Sequence, residues 1–242
     1  MDIVGRSDVG KVRKANEDEI IFDADEGIAI LADGMGGLER GEVASRTAAQ
    51  VVFKTLRSVS ASERAAESLL QTAIAAANQQ VLALSKQAAS GAMGTTLAVW
   101  LDVGFGQCFV AHVGDSRVYR LRERALQLLT EDHSMVQQLV NDGVLSHSEA
   151  RVSPQRNIIT RAVGLEAEVE VELRSWVRGR GDVFLLCSDG LTDMLNDSEV
   201  EDLLNEHLDE FGQGDLGVLS ESLIEAANNA GGNDNISVLL VR

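Results

Sequence analysis

The sequence of 242 residues has little of what divides or anchors a chain: it contains one proline, and no apolar run approaches the roughly 20 residues that cross a membrane. Because no Pro-rich or Ser-rich linker interrupts it, we expect a single domain over residues 1–242. The N-terminal stretch MDIVGRSDVGKVRKANED lacks the apolar core of a signal peptide. Together these absences predict a cytoplasmic protein.

Cysteine is almost as scarce, with Cys108 and Cys187 as the two examples. Both lie in apolar runs of the kind that form strands. Their spacing fits neither a CxxC redox pair nor a zinc site. We therefore expect two free thiols, buried in the core of a protein from a reducing compartment.

Basic residues are few beside acidic ones, since 21 Lys and Arg against 38 Asp and Glu give a formal net charge of −17. Phosphate backbones and anionic lipid headgroups repel such a surface. The charge therefore argues against nucleic acids and membranes as partners. Most of the acids are expected on solvated helix faces.

Hydrophobic periodicity predicts strand-rich regions separated by helices. Runs with the period of strands cover 19–25, 27–33, 95–104, 107–115, 117–123, 125–130, 169–177, 181–189 and 235–242. Runs with the period of helices cover 41–59, 60–89, 198–209 and 216–229. A polar, helical segment from Asp132 to Arg156 interrupts the strands. This order is typical of an α+β protein or a helix-flanked sandwich, and not of a βαβ repeat.

Two local signals refine the first helical pair. The spacing predicts a buried face on 41–59 that includes Val43, Ala44, Ala48 and Val52. Ser60 and Glu63 have the spacing of a capping box at the start of the second helix.

Five aspartates occur where a predicted strand begins or ends: Asp18, Asp33, Asp115, Asp189 and Asp234. Each one alone is explained by a turn, because Asp and Gly favour turns. If neighbouring strand ends cluster, however, five carboxylates meet, and their repulsion calls for protons or a cation. Oxygen-only ligands suit Mg²⁺ or Mn²⁺. A pair of such ions about 3.5–4 Å apart is the usual apparatus for activating water against a phosphate ester.

Six motifs in this chain resemble those of the metal-dependent Ser/Thr protein phosphatases of the PPM (PP2C-type) group, in particular the bacterial branch. They are SDVGKVRKANED, ADGMGG, GAMGTTL, VGDSRVY, LLCSDGLTD and GGNDNISV, and they run in family order from residue 7 to residue 238. The resemblance implies two antiparallel sheets packed as a sandwich and flanked by helix pairs, in four layers α-β-β-α. It also implies a binuclear metal centre at one end of the sandwich.

The resemblance implies metal ligands at the matching positions. Asp33 would bridge two Mn²⁺ or Mg²⁺ ions, with the Gly34 carbonyl as a further ligand. Asp189 and Asp234 would complete the ligands of one ion. Asp18 would hold the second ion, largely through waters.

Further roles follow from the same resemblance. Asp115 matches an acid that helps to hold a third, weaker metal in bacterial members. Arg13 would bind the substrate phosphate, a task suited to a planar bidentate donor. The segment 134–156 matches the family's flap beside the active site, and it carries Arg151 and Arg156.

The chain departs from many relatives at two positions, Met35 and Leu38. Met35 stands where eukaryotic members have a histidine proposed as general acid, and methionine cannot donate a proton. Leu38 stands where bacterial members often have a histidine at the lip of the site. Among the histidines, His133 resembles a family position near the site, while a partly exposed helix-start residue is the alternative. His112 is expected to be a satisfied core group.

The implied function is that of a protein serine/threonine phosphatase, a monomer that hydrolyses phosphoserine and phosphothreonine on proteins and opposes a bacterial Ser/Thr kinase. Two alternatives remain. One is a regulatory protein with the same fold that binds partners without turnover, which the presence of Arg13 and every metal-binding position disfavours. The other is a two-metal hydrolase of small phosphate esters, for which the negative charge disfavours only nucleic acid.

Overall fold

The computed structural model describes residues 1–36, 40–59, 63–87 and 92–242. Within these ranges the strands are β1 (Ile3–Asp8), β2 (Asp18–Asp23), β3 (Ile28–Gly36), β4 (Met93–Thr95), β5 (Leu97–Gly104), β6 (Gln107–Val113), β7 (Arg117–Arg122), β8 (Ala125–Leu128), β9 (Glu172–Val177), β10 (Val183–Cys187) and β11 (Ile236–Val241). The helices are α1 (Gly41–Arg57), α2 (Glu63–Gln87), α3 (Met135–Asn141), α4 (His147–Val152), α5 (Asp189–Thr192), α6 (Asp197–His207) and α7 (Leu216–Asn229).

The strands form two antiparallel sheets. One has the order β1-β11-β10-β7-β8, and the other has the order β2-β3-β5-β6-β9, with β4 paired to β3. The strand order within each sheet brings together segments that lie far apart in sequence. The C-terminal strand β11, for example, lies between β1 and β10.

Alternation along the strands builds four layers. In β3, Ile28 and Ile30 pack against α1 and α2, while Ala29 and Leu31 face the opposite sheet. The outer face of β10 and β11 packs against α5, α6 and α7 in the same way. The predicted four-layer α-β-β-α sandwich is therefore confirmed.

The layer between the sheets is fully apolar over most of its length. Trp100 of β5 and Phe184 of β10 meet there with ring centroids 5.5 Å apart. Cys108 lies in this layer, whereas Cys187 packs on the helical side of its sheet. Both thiols are free and buried, and burial raises the pKa of each to about 12, as expected of unreactive core cysteines.

The structure corrects the sequence predictions in two places and does not describe the residues of two others. Strand β1 has no counterpart among the predicted strands, because its residues are half-exposed at a sheet edge and show little apolar alternation. Val43 is 44% exposed, and the buried face of α1 uses Ala44, Ala48 and Val52 with Leu56. The capping box predicted from Ser60 lies outside the described residues, as does Leu38.

The interrupting segment contains two short helices, α3 and α4, each begun by a serine. Ser134 accepts a hydrogen bond from the Gln137 amide, and Ser146 forms a capping box with Glu149. An isolated bridge between Ser134 and Ile159 pairs the start of the segment with the chain just beyond its end.

None of the helices described is both long enough and apolar enough to span a lipid bilayer.

Candidate active site

The apolar layer between the sheets becomes polar at one end. Residues two apart on a strand share a face, so Asp33 continues the inward face of Leu31. In the opposite sheet Ser237 continues the face of Leu239 in the same way. Asp18 lies directly opposite Asp33 in the β2–β3 pair. One end of the sandwich therefore presents hydroxyl and carboxyl groups where the remainder presents methyl groups.

The five predicted aspartates meet at this end of the sandwich. A cavity of about 240 Å³ opens there, and six of the seven predicted site residues line it: Arg13, Asp33, Gly34, Asp115, Asp189 and Asp234. The seventh, Asp18, is 7% exposed and lies beneath the cavity floor as the partner of Asp33. Chain segments from both sheets contribute to the cluster.

Two buried carboxylate oxygens in the cluster lack partners among the described residues. Asp18 Oδ2 accepts a hydrogen bond from Ser188 Oγ at 2.9 Å, but its Oδ1 accepts none. Asp189 Oδ1 is buried and unpaired as well. A buried acceptor without a donor is costly. A divalent cation satisfies such oxygens, so the residues present fit a metal centre made of oxygen ligands.

The pKa values of these carboxyl groups report the same crowding. Burial raises the pKa of Asp33 well above its usual range, and the charge of Asp18 raises it further. Burial and the charge of Asp115 act in the same direction on Asp189.

Asp18 and Asp115 show smaller shifts with a similar origin. Burial raises the pKa of Asp18 to about 6, although the nearby hydroxyl groups of Ser237 and Ser188 oppose the change. Burial, followed by the charge of Asp132, raises the pKa of Asp115 to about 7. Without a cation these groups take up protons at a higher pH than an exposed carboxyl group does, and a bound cation opposes that protonation.

Arg13 lies at the mouth of the cavity, on the loop between β1 and β2. Its Nη2 donates to Asp234 Oδ2 at 2.5 Å, and the side chain is 52% exposed. The guanidinium therefore faces both the carboxylate cluster and solvent, where an incoming anion would arrive.

Asn235 holds the loop that carries Arg13, and the sequence analysis did not identify it. Its Oδ1 accepts from the Glu17 amide at 2.8 Å, while its Nδ2 donates to the carbonyls of Val9 at 3.0 Å and Ala15 at 2.9 Å. The feature of the sequence that could have identified Asn235 is its position between Asp234 and an apolar strand. The one buried side chain thus ties both ends of the Arg13 loop to the start of β11.

Two glycines permit close approaches of the backbone within the site. A Cβ on Gly34 would lie 2.1 Å from the carbonyl oxygen of Gly41, and one on Gly190 would lie 2.0 Å from that of Asn235. Both positions therefore exclude any side chain. The second close approach allows Asp189 to lie beside Asp234.

The segment 134–156 lines a neighbouring cavity. A second cavity of about 600 Å³ lies between this segment and the start of α6, and it shares Asp115 and Asp189 with the first. Arg151 and Arg156 line the larger cavity, and Arg156 Nε lies 3.5 Å from Asp193 Oδ2. The cluster of aspartates thus opens into a groove wide enough for more than a phosphate group.

A four-layer sandwich with aspartates gathered between the ends of its two sheets defines a protein of the phosphatase 2C type. Comparison with known proteins agrees. The sequence model of the family described as Protein phosphatase 2C matches residues 10–225, and the chain belongs to that family.

Similar proteins come from several bacteria. The serine/threonine phosphatase stp of Listeria monocytogenes serotype 4b is 37% identical over 242 residues, which cover 98% of this chain and 93% of that protein. The crystal structure of the Mycobacterium tuberculosis serine/threonine phosphatase PstP/Ppp has a TM-score of 0.86 and 36% identity, over 99% of this chain and 97% of that one. A PstP catalytic domain in complex with two manganese ions has a TM-score of 0.87 and 33% identity, over 99% and 96% of the two chains.

Proposed function

We propose that this protein uses divalent cations, Mn²⁺ or Mg²⁺, to hydrolyse phosphoserine and phosphothreonine in other proteins. The chain is a serine/threonine protein phosphatase, because it belongs to the protein phosphatase 2C family and resembles bacterial serine/threonine phosphatases over nearly its full length. One observation carries the metal-dependent mechanism. Four aspartates from distant parts of the chain line one cavity, a fifth lies beneath it, and two of the buried oxygens of this cluster lack donors among the described residues.

The proposed metal centre uses oxygen ligands from both sheets. Asp33, with the Gly34 carbonyl, would hold two ions, while Asp189 and Asp234 would serve one of them and Asp18 the other. This donor set suits Mn²⁺ and Mg²⁺ and lacks the soft ligands that favour other metals. The two manganese ions in the PstP complex support the same assignment. Asp115 would contribute to a third, weaker site.

Divalent cations in such a centre lower the pKa of water toward neutrality and offset the negative charge of a phosphoryl group. Arg13 would bind two phosphoryl oxygens through its planar guanidinium, exchanging Asp234 for the substrate. Asn235 orients that arginine by fixing both ends of its loop. Met35 lines the cavity but has no proton to give, so the leaving seryl or threonyl oxygen would take its proton from water.

Proteins are the proposed substrate class, and the open groove beside the cluster supports this choice. A cavity of about 600 Å³ bordered by the segment 134–156, the proposed flap, has room for residues that flank a phosphorylated side chain. We infer a cytoplasmic, monomeric catalytic domain over 1–242 that reverses the action of a Ser/Thr kinase. Small phosphate esters and binding without turnover are the competing functions.

An activity assay separates these functions. We expect the protein to release phosphate from phosphoserine and phosphothreonine peptides in Mn²⁺, to lose this activity in EDTA, and to regain it with excess Mn²⁺. Nucleoside monophosphates and a phosphotyrosine peptide serve as controls and should react far more slowly. A preference for nucleotides would instead indicate a small-ester hydrolase. No turnover at any Mn²⁺ concentration would indicate a binding protein.

The metal requirement should depend on pH. Because the pKa of Asp18 is about 6 and that of Asp115 about 7, protons compete with cations for these oxygens as the pH falls. We expect the half-saturating Mn²⁺ concentration to rise between pH 8 and pH 6, by up to about tenfold per pH unit for each proton displaced. Titrations of phosphatase activity with Mn²⁺ at several pH values measure it. A pH-independent midpoint would contradict the assignment of these aspartates as ligands.

A further inference from the structure

We propose that His133 is a positioning residue that ties the base of the flap, the segment 134–156, to the backbone that carries Asp115. The inference rests on the proposed phosphatase function and adds a buried residue that supports the site without lining its cavity. His133 is 8% exposed, and it is not among the residues that line either cavity. Any influence on the reaction must therefore pass through its contacts.

Those contacts hold Gly114 from two sides. The backbone amide of His133 donates to the Gly114 carbonyl at 2.9 Å, and the ring Nδ1 of His133 accepts from the Gly114 amide at 3.1 Å. The amide and the carbonyl of Gly114 are thus both bonded to His133. Gly114 immediately precedes Asp115, so this clamp sets where the Asp115 carboxylate points.

The same residue also joins the two ends of the flap. The His133 carbonyl accepts from the Thr160 amide at 2.7 Å, beyond the C-terminal end of the flap. On the N-terminal side, Asp132 is held by Arg117, whose Nε and Nη2 donate to the carboxylate at 2.9 Å and 2.7 Å. The flap therefore leaves and rejoins the sandwich at a junction that His133 shares with the Asp115 loop.

Gly114 also packs closely against Thr96, which lines the smaller cavity. Its φ is +104°, and a Cβ there would lie 2.7 Å from Thr96 Cγ2. Thr96 in turn bonds Asp33 twice: its Oγ1 accepts from the Asp33 amide at 2.9 Å, and its own amide donates to the Asp33 carbonyl at 2.8 Å. A shift of Gly114 therefore disturbs the supports of two aspartates in the cluster.

The tautomer of His133 follows from its partner. The Gly114 amide can only donate, so Nδ1 is the unprotonated nitrogen and the ring proton lies on Nε2. Arg161 Nη1, which lies 3.3 Å from Nε2 and also can only donate, is then a close neighbour of the ring and not a hydrogen-bond partner. The partner of His112 fixes its tautomer in the same way. Its Nε2 lies 2.9 Å from the carbonyl oxygen of Glu131, which can only accept, so this nitrogen carries the proton. The two rings stack with centroids 4.6 Å apart.

These tautomers explain a cluster that otherwise resembles a metal site. Glu172 Oε2 lies 3.7 Å from His133 Nε2 and 4.0 Å from His112 Nε2, so two histidines and a carboxylate converge. The Nε2 atoms of His133 and His112, which face this carboxylate, both carry protons. Neither nitrogen therefore has a free lone pair with which to bind a metal. Burial, then the charges of His112 and Arg161, lowers the pKa of His133 to about 3, and the ring stays neutral. The cluster therefore locks the His133 ring in its clamping position.

A matched pair of variants tests the clamp. Asparagine carries its Oδ1 on Cγ, as histidine carries Nδ1, so His133→Asn retains an acceptor for the Gly114 amide. Glutamine is closer to histidine in size but places its oxygen one bond farther out, so His133→Gln does not. We expect His133→Gln to lower kcat/KM by about 10–100-fold, as loss of an outer contact to a site does, and His133→Asn to recover most of it. The loss should be larger for a phosphopeptide than for p-nitrophenyl phosphate, which does not reach the flap.

Two further measurements do not depend on turnover. Exchange of the Gly114 amide with solvent, followed by NMR in EDTA, should accelerate in His133→Gln and stay near the wild-type rate in His133→Asn. In the wild-type protein, ¹⁵N shifts should show His133 protonated on Nε2 and bare on Nδ1, and this result stands even if a variant fails to fold. The opposite tautomer, or equal exchange and activity in the two variants, would overturn the proposal. An inactive wild-type protein with the expected tautomer and exchange pattern would overturn the proposed function instead.

Discussion

Asp33→Asn is expected to lower kcat/KM for a phosphoserine peptide by about a thousandfold or more, and to stabilise the protein in EDTA. Asparagine keeps the shape of the side chain but removes the charge that would bridge the cations. Lewis-acid stabilisation is worth several kcal/mol, and each 1.36 kcal/mol is a factor of ten in rate. Kinetics at saturating Mn²⁺ measure this loss.

The stability change has the opposite sign because of the cluster's own repulsion. Burial and the neighbouring carboxylates raise the pKa of Asp33 in the folded protein above its unfolded value of about 3.9. An acid shifted in this direction destabilises the fold wherever it is ionised, so the metal-free protein loses stability as the pH rises through the folded pKa. Removing the charge removes that penalty. Thermal unfolding in EDTA should therefore give a higher Tm for Asp33→Asn.

Asp25→Asn is the matched control for both measurements. Asp25 is exposed in the turn between β2 and β3, on the hairpin that carries Asp33, and lies away from the cavity. The Asp25→Asn protein should have the same activity, and the same Tm in EDTA, as the wild type. An Asp33→Asn protein that kept its activity would show that the cations are not bridged there. A lower Tm in EDTA would show that the Asp33 carboxylate is stabilised by its surroundings.

Gly190→Ala is expected to disrupt both the fold and the site. The new Cβ would lie 2.0 Å from the backbone oxygen of Asn235, so the end of β10 and the start of β11 must separate. Overpacking of this kind costs about 3 kcal/mol, which lowers the Tm of a chain of this size by roughly 6–12 °C. The separation also moves Asp189 from Asp234, and a displacement of about 1 Å at a reacting centre can cost roughly 10²-fold in activity.

A second glycine distinguishes loss of stability from loss of the site. Gly104 has a φ of +79° with open space around its Cβ position, and it lies at the end of β5 remote from the aspartates. Gly104→Ala should cost about 1–2 kcal/mol of backbone strain and leave kcat unchanged at temperatures where it is folded. Unfolding curves and kinetics on both variants make the comparison. If folded Gly190→Ala retains full activity, the contact with Asn235 does not position the metal ligands.

Several parts of the site were predictable from local pattern and from the ordered motifs. Asp33 and Asp189 each end an apolar run and precede a glycine, and the structure places both at one cavity. The resemblance to the family implied the four-layer sandwich, whereas the order of strands and helices alone indicated an α+β protein or a helix-flanked sandwich. These features depend on short stretches of chain, where the period of the apolar residues and the turn residues carry the information.

Other parts were not predictable because their information is not local. Strand β1 shows little apolar alternation, and its place is decided by pairing with β11, with Ile3 opposite Val241. Asn235 began the predicted strand 235–242 and had no predicted role, yet it bonds Val9 and Ala15 at the other end of the chain. His133 looked like a candidate for the chemistry or a surface residue, and the structure shows a buried ring bonded to Gly114.

The sequence by itself determined which faces of the strands are apolar and where each run of apolar residues ends on a carboxylate, because side-chain direction along a strand follows from covalent geometry with a period of two. The tertiary structure alone decided which of those ends meet. Arg13 reaches Asp234 across 221 positions, and Ser188 reaches Asp18 across 170. The first contact requires the pairing of β1 with β11, and the second requires the two sheets to pack face to face. The free energy for that packing comes from the burial of the apolar layer and not from the polar groups at its end.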